Sequence, residues 1–166
     1  EIVQESADKC GMFYVNERWL GGTLTNFSTI KRSINRLKIL EKESSDVYKN
    51  LTKKELTQLN RERNRLSDLH RGIRDMRYLP SALFIIDANN EKIAISEAKR
   101  LGIPVFALVD SNTSPLSVDY AIPGNDDSIK SISAILNHIS TLLLEINTEK
   151  EEIKKKQNES FDKVSK

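Results

Sequence analysis

The feature that most constrains this chain is a short, uninterrupted apolar run ending in aspartate, which occurs twice. Leu83-Phe84-Ile85-Ile86-Asp87 is the first and Val105-Phe106-Ala107-Leu108-Val109-Asp110 the second. A continuous run of this length without polar alternation suits a strand covered on both faces. Between the two lies a segment with helical spacing, Glu91 to Leu101, closed by Gly102 and followed by Pro104. Strand, helix and strand in such a short stretch form a right-handed βαβ unit, so an α/β fold with a parallel sheet is expected. A third, shorter strand is expected around Tyr120 to Ile122, leading through Pro123-Gly124-Asn125 to a last helix capped by Asp126, Asp127 or Ser128. In that helix Ile129, Ile132, Leu136, Ile139, Leu143 and Ile146 keep one face and should pack on the sheet. Residues 148–166 lose the pattern and are expected to form a charged, mobile tail.

Ahead of the sheet the period changes. Residues 2–10 place Ile2, Val3, Ala7 and Cys10 roughly on one helical face, with Gly11 in a stop position, and Met12 to Val15 reads as a short strand. Trp19-Leu20-Gly21-Gly22-Thr23-Leu24-Thr25-Asn26 is a special loop, since paired glycines permit close backbone approaches that side chains would block. From Phe27, the apolar residues Phe27, Ile30, Ile34, Leu37 and Leu40 recur with the spacing of an amphipathic helix. Ser44-Ser45-Asp46 interrupts it, and a second helix starts at Thr52, an N-cap with Glu55 placed for a capping box. Leu56, Leu59, Leu66 and Ile73 form a heptad-like seam on this helix, in which Arg63 and His70 take apolar slots. Two such helices predict an antiparallel, coiled-coil-like hairpin inserted into the α/β domain. The expected organisation is an α/β domain from 1–26 and 77–147, a hairpin over 27–76, and the tail.

The net charge is only +2, but it is unevenly spread. Residues 31–77 carry 14 basic against 7 acidic side chains, whereas residues 81–166 carry 10 against 13. A basic, projecting hairpin is where a polyanion would be met. Chemistry-bearing patterns are sparse by comparison. Cys10 is a single cysteine without a disulfide partner, and His70 and His138 lie on different predicted helices without ligand-spaced companions. No metal or cofactor is therefore expected. Asp87 and Asp110 stand at strand ends, where open α/β sheets hold ligands, and with Asn112 they support an alternative reading as a nucleotide-binding protein or enzyme. The turns Ala88-Asn89-Asn90 and Ser111-Asn112-Thr113 lack the glycines that close phosphate approach requires, so the carboxylates are expected to cap backbone instead. No apolar run reaches the roughly 20 residues of a bilayer span, and no membrane partner is expected.

Taken together, Tyr14-Val15-Asn16-Glu17-Arg18-Trp19-Leu20-Gly21-Gly22-Thr23-Leu24-Thr25-Asn26-Phe27, Leu51-Thr52-Lys53-Lys54-Glu55, Gly72-Ile73-Arg74-Asp75-Met76, Gly102-Ile103-Pro104-Val105 and Ile122-Pro123-Gly124-Asn125-Asp126-Asp127 resemble, in order, the S-two family of small-subunit ribosomal proteins in its bacterial and organellar branch. The resemblance covers about residues 1–145. It implies a flavodoxin-like domain with an inserted hairpin, no enzymatic activity, and a place on the ribosome, in bacterial cytoplasm or an organelle. Partners implied are small-subunit ribosomal RNA and neighbouring ribosomal proteins, including the S-one protein. It also implies family strands ahead of Glu1, so the sheet is expected to be incomplete at the N-terminus and the chain a fragment or processed product. Arg18, Lys31, Arg32, Arg36, Lys53, Lys54 and Arg74 are the candidate phosphate contacts.

Overall fold

Three strands, β1 (Leu83–Ile85), β2 (Val105–Val109) and β3 (Tyr120–Pro123), pair in parallel in the order β1-β2-β3. The computed structural model describes residues 1–42, 48 and 51–164, so the expected break at Ser44-Ser45-Asp46 lies outside the described residues. Leu83 faces Val105 and Ile85 faces Ala107, and on the far side Ala107 faces Ala121. β2 is thus central, and Val105 and Ala107 are wholly buried. One face of the sheet is covered by α4 (Lys92–Arg100), which lays Ala94, Ile95 and Ala98 against Ile85, Val105, Ala107 and Val109, with Leu24 and Val118 completing the cluster. Small residues at Ala94 and Ala98 let the helix approach closely. The opposite face is more open: Phe106 and Tyr120 stack with centroids 4.4 Å apart, and Tyr120 is exposed.

The helices follow the apolar spacing. α1 (Ile2–Cys10) ends at Gly11, and α2 (Phe27–Glu41) buries Ile30, Ile34, Leu37 and Leu40. α3 (Lys53–His70) opens on the capping box expected at Thr52 and Glu55, both halves of which are present, and passes into a single 3-10 turn at Arg71–Ile73. α2 and α3 pack together, and at their root Ile30, Ile34, Ile73 and Met76 cluster with Val15, Leu20 and Phe27. On the expected seam of α3, Leu56 is exposed, whereas His70 is buried.

Three expectations are corrected, on Met12 to Val15, on the packing of α5 and on its apolar length. Met12 to Val15 forms no strand, because a strand exists only with a partner: Tyr14 donates its N–H to the Gly72 carbonyl at 3.1 Å, and Met12 and Phe13 remain exposed. α5 (Ile129–Val164) lies chiefly against α1 rather than along the sheet, which it nears at Gly124, between Leu108 and Ile135. The same helix continues through the charged segment as far as Val164. Over Ile129–Lys150 it is also long and apolar enough, by length and composition, to cross a bilayer. Its polar residues there are mostly neutral Ser, Thr and Asn, which raise no charge penalty even though they break the apolar run. Ser128, one of the three expected caps, directly precedes α5 and accepts the Ile132 amide on its carbonyl at 3.0 Å, while Asn125 accepts the Asp127 and Ser128 amides at 2.9 and 2.8 Å in the turn before it.

Candidate nucleic-acid interface

The glycine loop is held by one carboxylate. Glu97 projects from α4 and is buried, and it accepts five hydrogen bonds from a segment 72 to 78 residues away. Oε1 receives the Trp19 indole N–H at 3.4 Å and the Gly22 amide at 2.6 Å. Oε2 receives the Leu24 and Thr25 amides at 2.9 and 3.0 Å and the Thr25 hydroxyl at 3.1 Å. Gly22 turns the chain with φ of 91°, a conformation other residues rarely adopt, so its amide reaches Oε1 while the next residues double back to Oε2. Burial alone would raise the Glu97 pKa, but the amides of Thr25, Gly22 and Leu24 and the Trp19 indole outweigh it and hold the carboxyl below its ordinary value.

Beside this loop runs a groove of about 530 Å³, lined by Glu17, Arg18, Trp19, Leu20 and Gly21 of the loop, by Arg65, Asp68 and Leu69 of α3, and by Ile93 of α4. Arg18 and Arg65 place two guanidinium groups on it. On α3, Lys54, Arg61 and Arg65 recur at intervals of seven and four and so share one helix face, all exposed. Lys53 and Lys54 occupy the first turn, where cations are disfavoured by the helix dipole, and a bound anion would relieve that cost.

The seven predicted contacts divide into two groups. Arg18, Arg32, Lys53 and Lys54 are exposed and make no ion pair among the described residues. The other three are engaged within the chain. Arg36 forms a two-point pair with Glu62 at 2.9 and 3.1 Å, Arg74 meets Glu41 at 2.7 Å, and Lys31 donates to the Arg77 carbonyl at 2.6 Å while lying 4.7 Å over the Phe27 ring. These three tie α2 to α3 and to the segment that follows α3. Sequence reasoning missed Arg65, which its four-residue spacing from Arg61 could have shown, and it missed the role of Glu97, for which no local spacing gives a sign.

The strand-end carboxylates are occupied with backbone. Asp87, with φ of 61°, accepts the Asn90 amide at 3.1 Å, and Asp110 accepts the Ser111 amide at 2.6 Å. Asn112 accepts the Thr113 hydroxyl at 2.8 Å. The depression at this sheet edge, about 540 Å³ and lined by Val109, Asp110, Ser111, Thr113, Pro115, Ala121 and Pro123, has Asp110 as its one ionisable side chain, which gives no acid and base pair. Burial, with Asp87, Asp110 and Asp127 nearby, pushes the Asp126 carboxyl up. Among the described residues, no three His, Cys, Asp or Glu side chains are arranged to hold a metal ion.

His70 joins the two helices. One ring nitrogen, Nε2, lies 2.8 Å from the Ser33 hydroxyl, while Nδ1 is buried without a partner. Burial lowers its pKa, so the folded chain holds the ring neutral and the unfolded chain takes up the proton first. Stability is therefore full above the unfolded value of about 6.5 and declines as pH falls from there through the folded value. Thermal melts between pH 7.5 and 5 should show this decline in the native chain and a shallower one in His70→Gln. Equal slopes would mean that His70 does not titrate with folding.

Comparison with known proteins matches residues 1–145 to the family described as Ribosomal protein S2. The chain is 53% identical over 147 residues to the small ribosomal subunit protein uS2 of Bdellovibrio bacteriovorus, covering 87% of this chain and 47% of that one. It is 51% identical over 146 residues to the small ribosomal subunit protein uS2 of Geotalea uraniireducens, covering 87% of this chain and 57% of that one. The chain spans about half the length of the curated relatives it matches.

Proposed function

Since the chain belongs to the ribosomal protein S2 family, we propose that it is a structural, non-catalytic part of the small ribosomal subunit that binds ribosomal RNA through its helical hairpin and glycine loop. The observation that carries the reading is the set of cations without internal partners among the described residues: Arg18, Arg32, Lys53 and Lys54, with Arg61 and Arg65 continuing the face of α3. Such groups neutralise phosphates and release counterions without reading sequence. Lys31, Arg36 and Arg74 take the secondary role of stiffening the arm. In this reading residues 27–76 form the arm and the α/β unit presents it. The α5 helix serves as a packing helix rather than a membrane span, because it lies against α1 of the same chain.

Both relatives are bacterial, which supports a ribosome in bacterial cytoplasm over one in an organelle. Contact with the S-one protein extends the same reading to a further partner, and co-purification of S-one with small subunits carrying or lacking this chain tests it.

The RNA reading has a quantitative test. Arg32→Glu combined with Lys53→Glu should weaken binding to small-subunit ribosomal RNA by about tenfold or more at 0.1 M salt and flatten the dependence of log affinity on log salt by about two contacts' worth. Arg36→Gln should instead lower thermal stability, with little change in the salt slope. Unchanged slope and affinity in the double reversal would sink the proposal.

A further inference from the structure

The loop that contributes Arg18, Trp19 and Gly21 to the groove is anchored by the packing of Leu20, Leu24 and Trp19, and its polar groups are held chiefly by Glu97. Within Trp19–Thr25 the internal ties are the Thr23 amide and hydroxyl, which both reach the Leu20 carbonyl, at 3.0 and 2.6 Å. Every other polar tie named for Trp19, Leu24 and Thr25 ends on the two oxygens of Glu97. Glu97 does not line the groove, whereas its neighbours on the loop do. A carboxylate suits the task chemically: it offers only acceptors, and here it meets only donors. A glutamine in the same place would turn an NH2 group toward at least one pair of N–H groups.

We propose that Glu97 is a positioning residue for RNA binding, whose carboxylate fixes the 19–25 loop in the shape that sets Arg18 across the groove from Arg65. The inference rests on the RNA reading given above. A loop with two adjacent glycines would otherwise sample many conformations, and the RNA would have to order it on binding. Pre-ordering by Glu97 removes that cost and leaves the loop's conformation the same in free and bound chains.

The test is a double-mutant cycle on the full chain, with small-subunit ribosomal RNA as the probe and with affinity measured at a temperature where every variant is folded. Glu97→Gln should weaken binding by about tenfold. Arg18→Gln should weaken it by at least as much, and the double variant should be no weaker than the worse single, because Glu97 acts through Arg18. The fluorescence of Trp19, the one tryptophan, should shift in Glu97→Gln as the carboxylate beside the indole becomes a neutral amide. Amide exchange should rise at Gly22, Leu24 and Thr25 while β2 stays protected. If β2 protection is also lost, Thr25→Val, which removes only the hydroxyl contact, replaces Glu97→Gln in the cycle. Additive losses, or native affinity in a variant whose loop amides have become exposed, overturn the inference and leave the RNA reading standing. Failure of the native chain itself to bind overturns both.

Discussion

Glu97→Ala should lower the unfolding free energy by about 3–4 kcal/mol, one of the two largest single-residue effects expected in this chain. The substitution removes the acceptor of five donors at once. Thr25 is exposed and Gly22 partly so, and their groups can turn to water. The Leu24 amide cannot, because Leu24 is 3% exposed and set in the α4 and sheet cluster. One buried orphan donor costs about 1–3 kcal/mol, and the looser loop and lost indole bond supply the rest. Set against a total of roughly 5–15 kcal/mol for a domain, this is a large fraction. Urea unfolding followed by Trp19 fluorescence measures it. The acid limb gives an independent check. The folded-state pKa of Glu97 is depressed, so its contribution is complete above the unfolded value, about 4.3, and is lost as pH falls through the folded one. The native chain should therefore lose stability more steeply than Glu97→Ala below about pH 4.5. A cost under about 1 kcal/mol would show that the donors find other partners as readily.

The contrast between this carboxylate and that of Glu55 shows what a sequence can disclose. Thr52 and Glu55 sit three residues apart, and both halves of their capping box are local, so spacing alone located them. The βαβ unit was legible for a similar reason: apolar runs, a helical period and their punctuation all act within a few residues. Glu97 answers donors more than 70 residues away, and Arg36 and Arg74 answer Glu62 and Glu41 across the contact of two segments. Those partnerships depend on the register in which elements dock, which periodicity does not encode. Hence composition shows that residues 31–77 hold the excess of basic side chains but not which of them are already neutralised. Met12 to Val15 and α5 fail in the same way. Local pattern marks an extended or amphipathic segment correctly, but the neighbour that it meets is chosen elsewhere in the chain.

Gly72→Ala should cost about 3 kcal/mol or more, through sterics rather than lost bonding. A Cβ at this position would fall on the carbonyl oxygen of Tyr14 and within 2.6 and 2.7 Å of its ring carbons Cδ2 and Cε2. The ring could rotate aside, but the carbonyl has less freedom, because the Tyr14 amide of the same residue is tied to the Gly72 carbonyl at 3.1 Å. Relieving the overlap therefore means parting the two backbones and leaving that pair unmade. The strain enters at the root of the hairpin, where Val15 and Ile73, the next residues on each side, share a cluster with Ile30, Ile34 and Met76. Displacement there would swing α2 and α3 and scatter the cations along them, so affinity for RNA should fall together with the melting temperature. Gly21→Ala is the control: it meets nothing within 4 Å and has no positive φ, so its stability should stay within about 0.5 kcal/mol of the native chain. Should Gly72→Ala melt with the native chain, the contact between Tyr14 and Gly72 would not be what anchors the arm to the sheet domain.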